Sequence, residues 1–314
     1  MRLHDIGSPP SVLRVLVIPV SVCTVLAGCA GATGQEKVLL IGLDGVRVDV
    51  LASARTPNID ALIADGTFSD QAQTRAPTVS GPGWSNMLTG VWSPKHRVMG
   101  NNFTGNDYAT YPDFLTRLER IDSTFSTFAV VDWPPLGDTT SGGPLISDGI
   151  DVKHVVSGDA LGYPHADSQS VDIAVEHLAS EDADAAFVYL GNIDVVGHAT
   201  GSLAPEYQAA IEAADVQVGR LVEAVRSRAT YDQEDWLILV CTDHGRQDDG
   251  GHGGLSSQEL TIFLVVSGSS ALKGAPQDTP NIVDIAVTAL AHLGVAVDPA
   301  WRLDGRVVGL AGSE

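Results

Sequence analysis

The sequence predicts a single α/β domain, an α/β/α sandwich in which helices cover both faces of a mostly parallel central sheet. Two observations lead to this prediction. Apolar runs that suit strands buried on both faces alternate along the chain with segments of helical periodicity. The chain has 314 residues, 44% of them hydrophobic, with no internal repeat and no low-complexity linker, which favours one large domain over two small ones.

The first 28 residues are predicted to be a lipoprotein signal peptide. Their apolar run, Val12 to Leu26, is too short for an ordinary membrane-spanning helix. It leads into Leu-Ala-Gly-Cys29, which resembles the lipobox of bacterial lipoproteins, where the cysteine is lipidated and becomes the amino terminus. Residues 29–36 would then be a tether and residues 37–314 the folded domain. The alternative is a plain secretory signal in which Cys29 has no special role.

The chain is strongly acidic, with 39 Asp and Glu against 18 Lys and Arg and a formal net charge of -21. This composition disfavours binding to the phosphate backbone of nucleic acids, because like charges repel. Bound metal ions reverse the sign of the potential locally, so a phosphate-binding cleft remains compatible with the composition.

The first predicted strand runs from Lys37 to Leu43 and ends in an acid and a glycine, Asp44 and Gly45. Continuous apolar character of this length is typical of a central parallel strand. A helix is predicted from Pro57 to near Gly66, because apolar residues recur there at helical spacing, and a strand from Thr67 to Thr74 follows.

The segment from Arg75 to Gly90 combines hydroxyl side chains with glycines, which let a ligand approach the backbone closely. A helix is predicted to start near Pro82, with its first N–H groups available to an anion. Ser80, at the mouth of this helix, is therefore a candidate nucleophile or phosphate contact. The alternative is a hydroxyl that only caps the helix.

Residues 95–165 are rich in Gly, Asp, Asn, Thr and Tyr, and we expect loops there, with one short strand at 125–131. A helix with an apolar face is predicted from Ser168 to Leu178. The remaining predicted elements are helices at 205–228 and 282–293 and a strand at 261–266.

Two further buried strands are predicted at residues 185–190 and 237–240. Each is followed by carboxylates and imidazoles, which bind zinc and similar metals. These side chains are Asp194, His198, Asp243, His244 and, in a glycine-rich turn, His252.

With Asp44, three strand ends supply six potential ligands. Open α/β sheets place their sites at the carboxyl ends of strands, so these ligands are expected to converge. They divide into two three-ligand metal sites, each with room for substrate or water, as in two-metal phosphoryl or sulfuryl transfer. The alternative is a set of polar turns with histidines that face solvent.

These motifs resemble the alkaline phosphatase superfamily, specifically its nucleotide pyrophosphatase/phosphodiesterase-like branch, over roughly residues 37 to 310. The resemblance implies an alkaline phosphatase-like fold and a metal-dependent phosphoric ester hydrolase. The matching stretches are Leu40-Ile-Gly-Leu-Asp44-Gly45, Ser80 with Leu88-Thr89-Gly90, Asp194-Val-Val-Gly-His198, Thr242-Asp243-His244-Gly245 and Gly251-His252-Gly253-Gly254.

The resemblance also implies roles for individual residues. Ser80 matches the family's nucleophile, ten residues before Gly90; its hydroxyl would contact a metal and form a covalent phospho-enzyme. Thr78 is the alternative nucleophile. The implied metals are two zinc ions, or other divalent ions: one bound by Asp194, His198 and His252, the other by Asp44, Asp243 and His244.

The substrate contacts are less defined. Family members commonly carry Asn three residues after the nucleophile, where this chain has Gly83. Backbone N–H groups of residues 81–84, which include Gly83 and Trp84, or the side chains of Asn101 and Asn102 are candidate replacements. Candidate stacking partners for a base or an aryl group are Trp84, Phe103, Tyr108 and Tyr111.

The chain lacks the Cys-x-Pro-x-Arg motif from which the sulfatase branch makes its nucleophile, which disfavours sulfatase activity of that type. We therefore expect an extracytoplasmic hydrolase of small-molecule phosphate esters, of phosphodiesterase type, anchored to the membrane through Cys29. One alternative is an alkaline phosphomonoesterase with the same site. Another is a non-catalytic metal-binding surface lipoprotein.

Overall fold

A computed structural model describes residues 34–311, together with Met1 and Gly7. The rest of the predicted signal peptide and the predicted lipidation site, Cys29, lie outside the described residues. The described residues from Gly34 on belong to one compact unit. None of their helices combines the length and the apolar character that a membrane crossing requires.

The centre of the fold is a seven-stranded sheet in the order β2-β7-β6-β1-β5-β3-β4. Only β7 runs antiparallel to its neighbours, β2 and β6, so the sheet is mostly parallel as predicted. The strands are β1 (Gln35–Leu43), β2 (Gly66–Gln73), β3 (Thr127–Val131), β4 (Val152–Val155), β5 (Ala185–Leu190), β6 (Glu234–Cys241) and β7 (Thr261–Ser267).

Helices cover both faces of the sheet. They are α1 (Val48–Leu51), α2 (Pro57–Ala64), α3 (Ser80–Thr89), α4 (Ser93–His96), α5 (Phe114–Ile121), α6 (Pro134–Gly137), α7 (Gly158–Leu161), α8 (Tyr163–Ser180), α9 (Asn192–Thr200), α10 (Pro205–Arg226), α11 (Ser257–Leu260) and α12 (Asp284–His292). Short 3-10 helices span Thr140–Gly142, Tyr231–Gln233 and Pro299–Trp301.

Alternate residues of β1 point to opposite faces of the sheet and pack in two separate cores. Val38 and Leu40 join α3, α5 and α12 on one face. Leu39 and Ile41 join α2, α8 and α10 on the other. Burial of each such side chain stabilises the fold by roughly 1.5–3 kcal/mol. The continuous apolar run in the sequence therefore has the predicted cause, a strand covered on both sides.

The prediction of loops over residues 95–165 is wrong at helix α5 and strand β4, and also at the one-turn helices α6 and α7. Helix α5 lies there, begun by Asp113, whose carboxylate accepts a hydrogen bond from the N–H of Thr116 at 3.0 Å. Strand β4 lies there too, and its half-buried or exposed edge position needs no apolar run. The apolar residues Phe114, Leu115 and Leu118 of α5 do recur at helical spacing, so the sequence carried a signal for this helix, whereas β4 has only four residues and shows no clear period.

Two helices begin earlier than predicted. Helix α3 starts at Ser80 rather than near Pro82, because Val79, in an extended conformation, is its N-cap. Helix α8 starts at Tyr163 rather than Ser168, with a proline in its first turn, where the missing N–H costs nothing.

The carboxyl ends of the three central strands meet at one edge of the sheet. Leu43 of β1 pairs with Leu190 of β5, and Gly42 pairs with Cys241 of β6. The residues that follow these strands are therefore neighbours in space, although they are up to two hundred positions apart in sequence.

Candidate metal centre

The six predicted ligands converge at this edge of the sheet. Asp44 directly follows β1, and Asp243 and His244 follow β6. Asp194 and His198 are four residues apart on α9, which puts them on the same side of the helix. His252 lies in the glycine-rich loop after β6 and approaches the α9 pair.

The first ligand group consists of Asp194, His198 and His252, whose ligand atoms all lie within 4.8 Å of one another. The Nε2 atoms of the two histidines are 2.8 Å apart, and Nε2 of His198 lies 3.3 Å from Oδ2 of Asp194. Nδ1 of His252 is 2.7 Å from the carbonyl oxygen of Thr78. A carbonyl only accepts, so Nδ1 carries the proton and Nε2 presents a lone pair to the group.

The second ligand group is Asp44, Asp194 and His244, again within 4.8 Å. His244 is oriented like His252, because its Nδ1 lies 2.9 Å from the carbonyl oxygen of Gly245 and its Nε2 points inward. Asp194 thus belongs to both groups. The family resemblance implied that Asp243 is a ligand of this group. In the structure Asp243 lies beside the group, with its Oδ2 at 3.4 Å from Nε2 of His244.

The buried carboxylate of Asp243 fits a bound cation. Its Oδ1 accepts a hydrogen bond from the N–H of Gly45 at 3.1 Å, but its Oδ2 is buried without a hydrogen-bond partner among the described residues. Leaving a buried anionic oxygen unpaired is costly, whereas a metal ion would compensate it. The donor set of carboxylates and imidazoles is suited to a divalent metal.

Ser80 opens α3 next to the second group. Its Oγ lies 3.5 Å from Oδ1 of Asp44 and 3.4 Å from Nε2 of His244. The hydroxyl of Thr78 is committed to the glycine-rich loop, because it donates to the carbonyl of Gly254 at 3.1 Å and accepts from the N–H of Gly253 at 3.0 Å. Of the two predicted hydroxyls, that of Ser80 lies beside the second ligand group, whereas that of Thr78 is bonded to the glycine-rich loop.

Burial dominates the electrostatics of the site. Burial, reinforced by the negative charge of Asp194, raises the pKa of Asp44 to about 7. Burial would also raise the pKa of Asp194, but the hydrogen bond from His198 and the charge of Arg246 hold that pKa below its ordinary value. Burial lowers the pKa of His244, which keeps its imidazole neutral and able to bind a metal.

Trp84 has a different role from the one predicted. It is fully buried, and its indole N–H donates to Oδ2 of Asp44 at 2.9 Å. The hydroxyl of Tyr189 donates to the same oxygen at 2.6 Å. Trp84 is thus not available to stack on a substrate; with Tyr189 it orients Asp44 so that Oδ1 faces Ser80.

The other aromatic candidates are also packing residues. Phe103, Tyr108 and Tyr111 are buried, with Phe103 and Tyr108 in the core on the α3 side of the sheet. A tertiary core covers these side chains, although the surrounding sequence is polar. The burial of all four side chains disfavours the predicted stacking on a substrate.

The polar side chains and backbone groups predicted to contact substrate lie in different surroundings in the structure. Exposed Asn101 lies beside the start of α3, where its Oδ1 accepts from the N–H of Gly81 at 2.8 Å. The side chain of exposed Asn102 accepts a hydrogen bond from the N–H of Thr104 in its own loop. The N–H of Gly83 bonds to the carbonyl of Val79 within the helix.

Gly83 instead packs against a predicted ligand. A Cβ atom at this position would lie 2.9 Å from Cβ of Asp243. The glycine is explained by this close approach of the helix to the metal centre, and a side chain of any size would displace Asp243.

Sequence reasoning missed two residues of the site, Tyr189 and Arg246. Tyr189 could have been noticed as a polar side chain near the end of an apolar strand. Arg246 could have been noticed because it directly follows Asp243-His244-Gly245. The guanidinium of Arg246 is buried and hydrogen-bonds Oδ1 of Asp194.

Comparisons with known proteins agree with this geometry. Residues 38–135 match the family model described as type I phosphodiesterase / nucleotide pyrophosphatase. Residues 147–296 match the model of the metalloenzyme superfamily. The two matches include all six predicted ligands and Ser80.

Among curated proteins, the chain is 24% identical over 255 residues to human ectonucleotide pyrophosphatase/phosphodiesterase family member 7. The match covers 73% of this chain and 53% of that protein, so the chain spans about half the length of this relative.

Two solved structures share the fold. Murine ectonucleotide pyrophosphatase / phosphodiesterase 5, in an inactive form in complex with AMP, superimposes with a TM-score of 0.65 at 14% identity, covering 84% of this chain and 96% of that one. The phosphonate monoester hydrolase of Agrobacterium radiobacter gives 0.62 at 18% identity, covering 83% and 74%. At these identities the likeness is one of fold.

Proposed function

Because the chain belongs to the alkaline phosphatase superfamily, in its type I phosphodiesterase/nucleotide pyrophosphatase branch, we propose that it hydrolyses phosphate diesters at a two-zinc centre with Ser80 as nucleophile. The observation that carries this proposal is the position of Ser80. Its Oγ lies within 3.5 Å of both Asp44 and His244, at the amino terminus of a helix.

The proposed centre assigns the predicted ligands to two ions. Asp194, His198 and His252 would hold one, and Asp44, Asp243 and His244 the other, with Asp194 close to both. Bound divalent ions lower the pKa of a contacting hydroxyl and neutralise charge on the transferring phosphoryl group. The unpaired Oδ2 of Asp243 supports the second position.

The chain's own residues supply the covalent step. Oγ of Ser80 gives up its proton to solvent and attacks phosphorus of the diester, the bond from phosphorus to the leaving oxygen breaks, and that oxygen departs as an alcohol after taking a proton from water. The covalent intermediate is a seryl phosphodiester that keeps the second ester group of the substrate. Water then attacks its phosphorus, the bond from phosphorus to Oγ breaks, and a phosphate monoester leaves as the Ser80 hydroxyl is restored. The amino terminus of α3 favours the negative phosphoryl oxygens throughout, because helix amino termini carry partial positive charge.

The proposed location is outside the cytoplasm, with the protein attached to a membrane by a lipid on Cys29. Support for this part comes from the leader-like sequence alone, where the apolar run ends in Leu-Ala-Gly-Cys. Metabolic labelling with a fatty-acid analogue tests it, with label expected in the wild type and absent from Cys29→Ser.

Variants at the two hydroxyls test the nucleophile. With bis-p-nitrophenyl phosphate and zinc-loaded protein, Ser80→Ala is expected to lower kcat on the order of a thousandfold or more. Thr78→Ala should keep most of the activity and is the matched control. Wild-type turnover by Ser80→Ala would remove the nucleophile assignment.

A phosphomonoesterase with the same ligands is the second candidate. Gly83 is the observation that favours it, since the chain lacks the asparagine that phosphodiesterases of this family commonly place there. Paired kcat/KM values on bis-p-nitrophenyl phosphate and p-nitrophenyl phosphate decide between the two, and the proposal predicts the higher value for the diester.

A further inference from the structure

Arg246 is a fully buried cation among the ligand-bearing segments. Its Nη2 bonds to Oδ1 of Asp194, its Nε donates to the carbonyl of Gly45 at 3.0 Å, and its Nη1 donates to the carbonyl of Gly250 at 2.8 Å. These partners belong to the turn after β1, to α9 and to the loop that carries His252. One side chain therefore joins all three segments that supply metal ligands.

The surrounding glycines show that the guanidinium is tightly enclosed. A Cβ atom at Gly197, inside α9, would lie 2.1 Å from Nη1 of Arg246. A Cβ atom at Gly45 would lie 2.5 Å from Nη2. Glycine inside a helix costs roughly 1 kcal/mol of stability relative to alanine. Its presence at position 197 of α9 is explained by Arg246, which occupies the space that a side chain would need.

This enclosure separates Arg246 from an arginine that binds substrate. Each guanidinium nitrogen already has a protein partner, and the ring of Tyr207 lies 5.6 Å from the guanidinium carbon. The group has no accessible surface from which to contact a phosphate. Its effect must therefore pass through the residues it holds.

The residue it holds most directly is Asp194, which belongs to both ligand groups. Nη2 of Arg246 donates a hydrogen bond to Oδ1 of Asp194, while Oδ2 of Asp194 lies 3.3 Å from Nε2 of His198. The donors of a guanidinium form a rigid planar fork, so Arg246 fixes the angle at which the Asp194 carboxylate is held.

We propose that Arg246 is a positioning residue for metal binding, which fixes Asp194 between the two metal positions and holds the turn at Gly45 and the loop at Gly250 in register. The inference rests on the proposed metal-dependent function. Partners that orient a ligand in this way typically contribute about 10- to 100-fold to metal affinity.

Metal titration tests the proposal without requiring turnover. Cobalt(II) is the probe, with stoichiometry and dissociation constants measured for wild type, Arg246→Gln and Arg246→Lys. Arg246→Gln is expected to bind at least one of the two ions about 10- to 100-fold more weakly. Arg246→Lys keeps the charge but cannot make three bonds in a planar fork, so it should remain clearly weaker than wild type.

Arg228→Gln is the matched control. Arg228 is also a buried arginine with partners on several elements, namely Glu234 and the carbonyls of Leu178 and Glu181, but it lies at the opposite end of β6. The Arg228→Gln variant should have lower thermal stability in the presence of chelator. Its metal affinity should stay within about twofold of wild type, well below the 10- to 100-fold loss expected when an orienting partner is removed.

Two results would overturn the proposal. One is wild-type cobalt affinity and stoichiometry in Arg246→Gln; the other is full restoration by Arg246→Lys, because charge alone would then suffice. If Arg246→Gln does not fold, Arg246→Lys decides alone. Two bound metals without ester turnover in the wild type would remove the proposed function and leave this inference intact.

Discussion

The indole N–H of Trp84 donates to Oδ2 of Asp44 at 2.9 Å, in a part of the site that solvent does not reach. Tyr189 donates to the same oxygen, so two donors fix one side of the carboxylate and leave Oδ1 for Ser80 and the proposed metal. A metal ligand held in this way loses little freedom on binding.

Trp84→Phe should therefore weaken metal binding by about 10- to 100-fold at the Asp44 position. Phe187→Leu is the control, because Phe187 packs on Trp84 with ring centroids 5.9 Å apart but contacts no predicted ligand. Both variants should be less stable than wild type. In a competition with a chelator, only Trp84→Phe should show a lower metal affinity. Equal metal affinity in the two would show that Trp84 acts through packing alone.

Metal binding should tighten as pH rises through about 7. Burial and the charge of Asp194 raise the pKa of Asp44 to about 7, and the hydrogen bond that His198 donates to Asp194 raises the pKa of His198. Ligands bind metals in their deprotonated forms, so protons compete below these pKa values. Zinc affinity, corrected for the chelator, should rise about tenfold or more between pH 6 and 7 and more slowly above pH 8. A flat profile would contradict the assignment of Asp44.

A second pair of buried acids, Asp132 and Asp167, predicts a pH effect on stability. Both side chains lie near the N–H of Gly191, and burial followed by repulsion from Asp167 raises the pKa of Asp132. A carboxyl whose pKa is higher in the folded than in the unfolded state binds more protons when the protein is folded. Its contribution to the free energy of unfolding is complete below the ordinary Asp pKa and is lost as pH rises through the pKa of the folded state.

Asp132→Asn should remove this dependence, because an amide stays neutral and can donate to Asp167. The wild type should lose up to about 1.4 kcal/mol per pH unit that the variant does not lose. The difference in Tm between the two proteins should therefore be smallest near pH 4 and should grow as the pH is raised toward 8, with the variant increasingly favoured. A constant difference across this range would exclude a raised pKa of Asp132.

Gly83→Ala tests the contact between α3 and Asp243. The added Cβ would lie 2.9 Å from Cβ of Asp243, so we expect a loss of about 1–3 kcal/mol in stability and weaker metal binding. Gly100→Ala is the control, since nothing lies within 4 Å of its added Cβ. If Gly83→Ala changes only KM, Gly83 contacts substrate rather than Asp243.

The clustering of the six predicted ligands could be predicted from the sequence because each acid or imidazole follows a buried strand or lies in the glycine-rich turn after one. Apolar runs such as the one before Asp44 mark central strands, and topology then brings their ends together. The resemblance to the family, whose nucleophile lies ten residues before the position of Gly90, implied the role predicted for Ser80. What spacing could not predict is the second role of Asp194, which lies near both groups.

The packing partners could not be predicted. Every residue of α3 is buried, so this helix has no polar face from which the direction of Trp84 could be read. Arg246 reaches positions 45, 194 and 250, and only the tertiary fold brings these together. The exposed edge position of β4 likewise removed the apolar run that marks a central strand.

Trapping the covalent intermediate tests the central claim most directly. Zinc-loaded protein is mixed with excess bis-p-nitrophenyl phosphate, quenched in acid within the first turnover, digested and analysed by mass spectrometry. The proposed chemistry predicts that Ser80 carries a p-nitrophenyl phosphoryl group, and that this adduct does not form in metal-free protein. An adduct on Thr78, or turnover with no modified residue under these conditions, would contradict it.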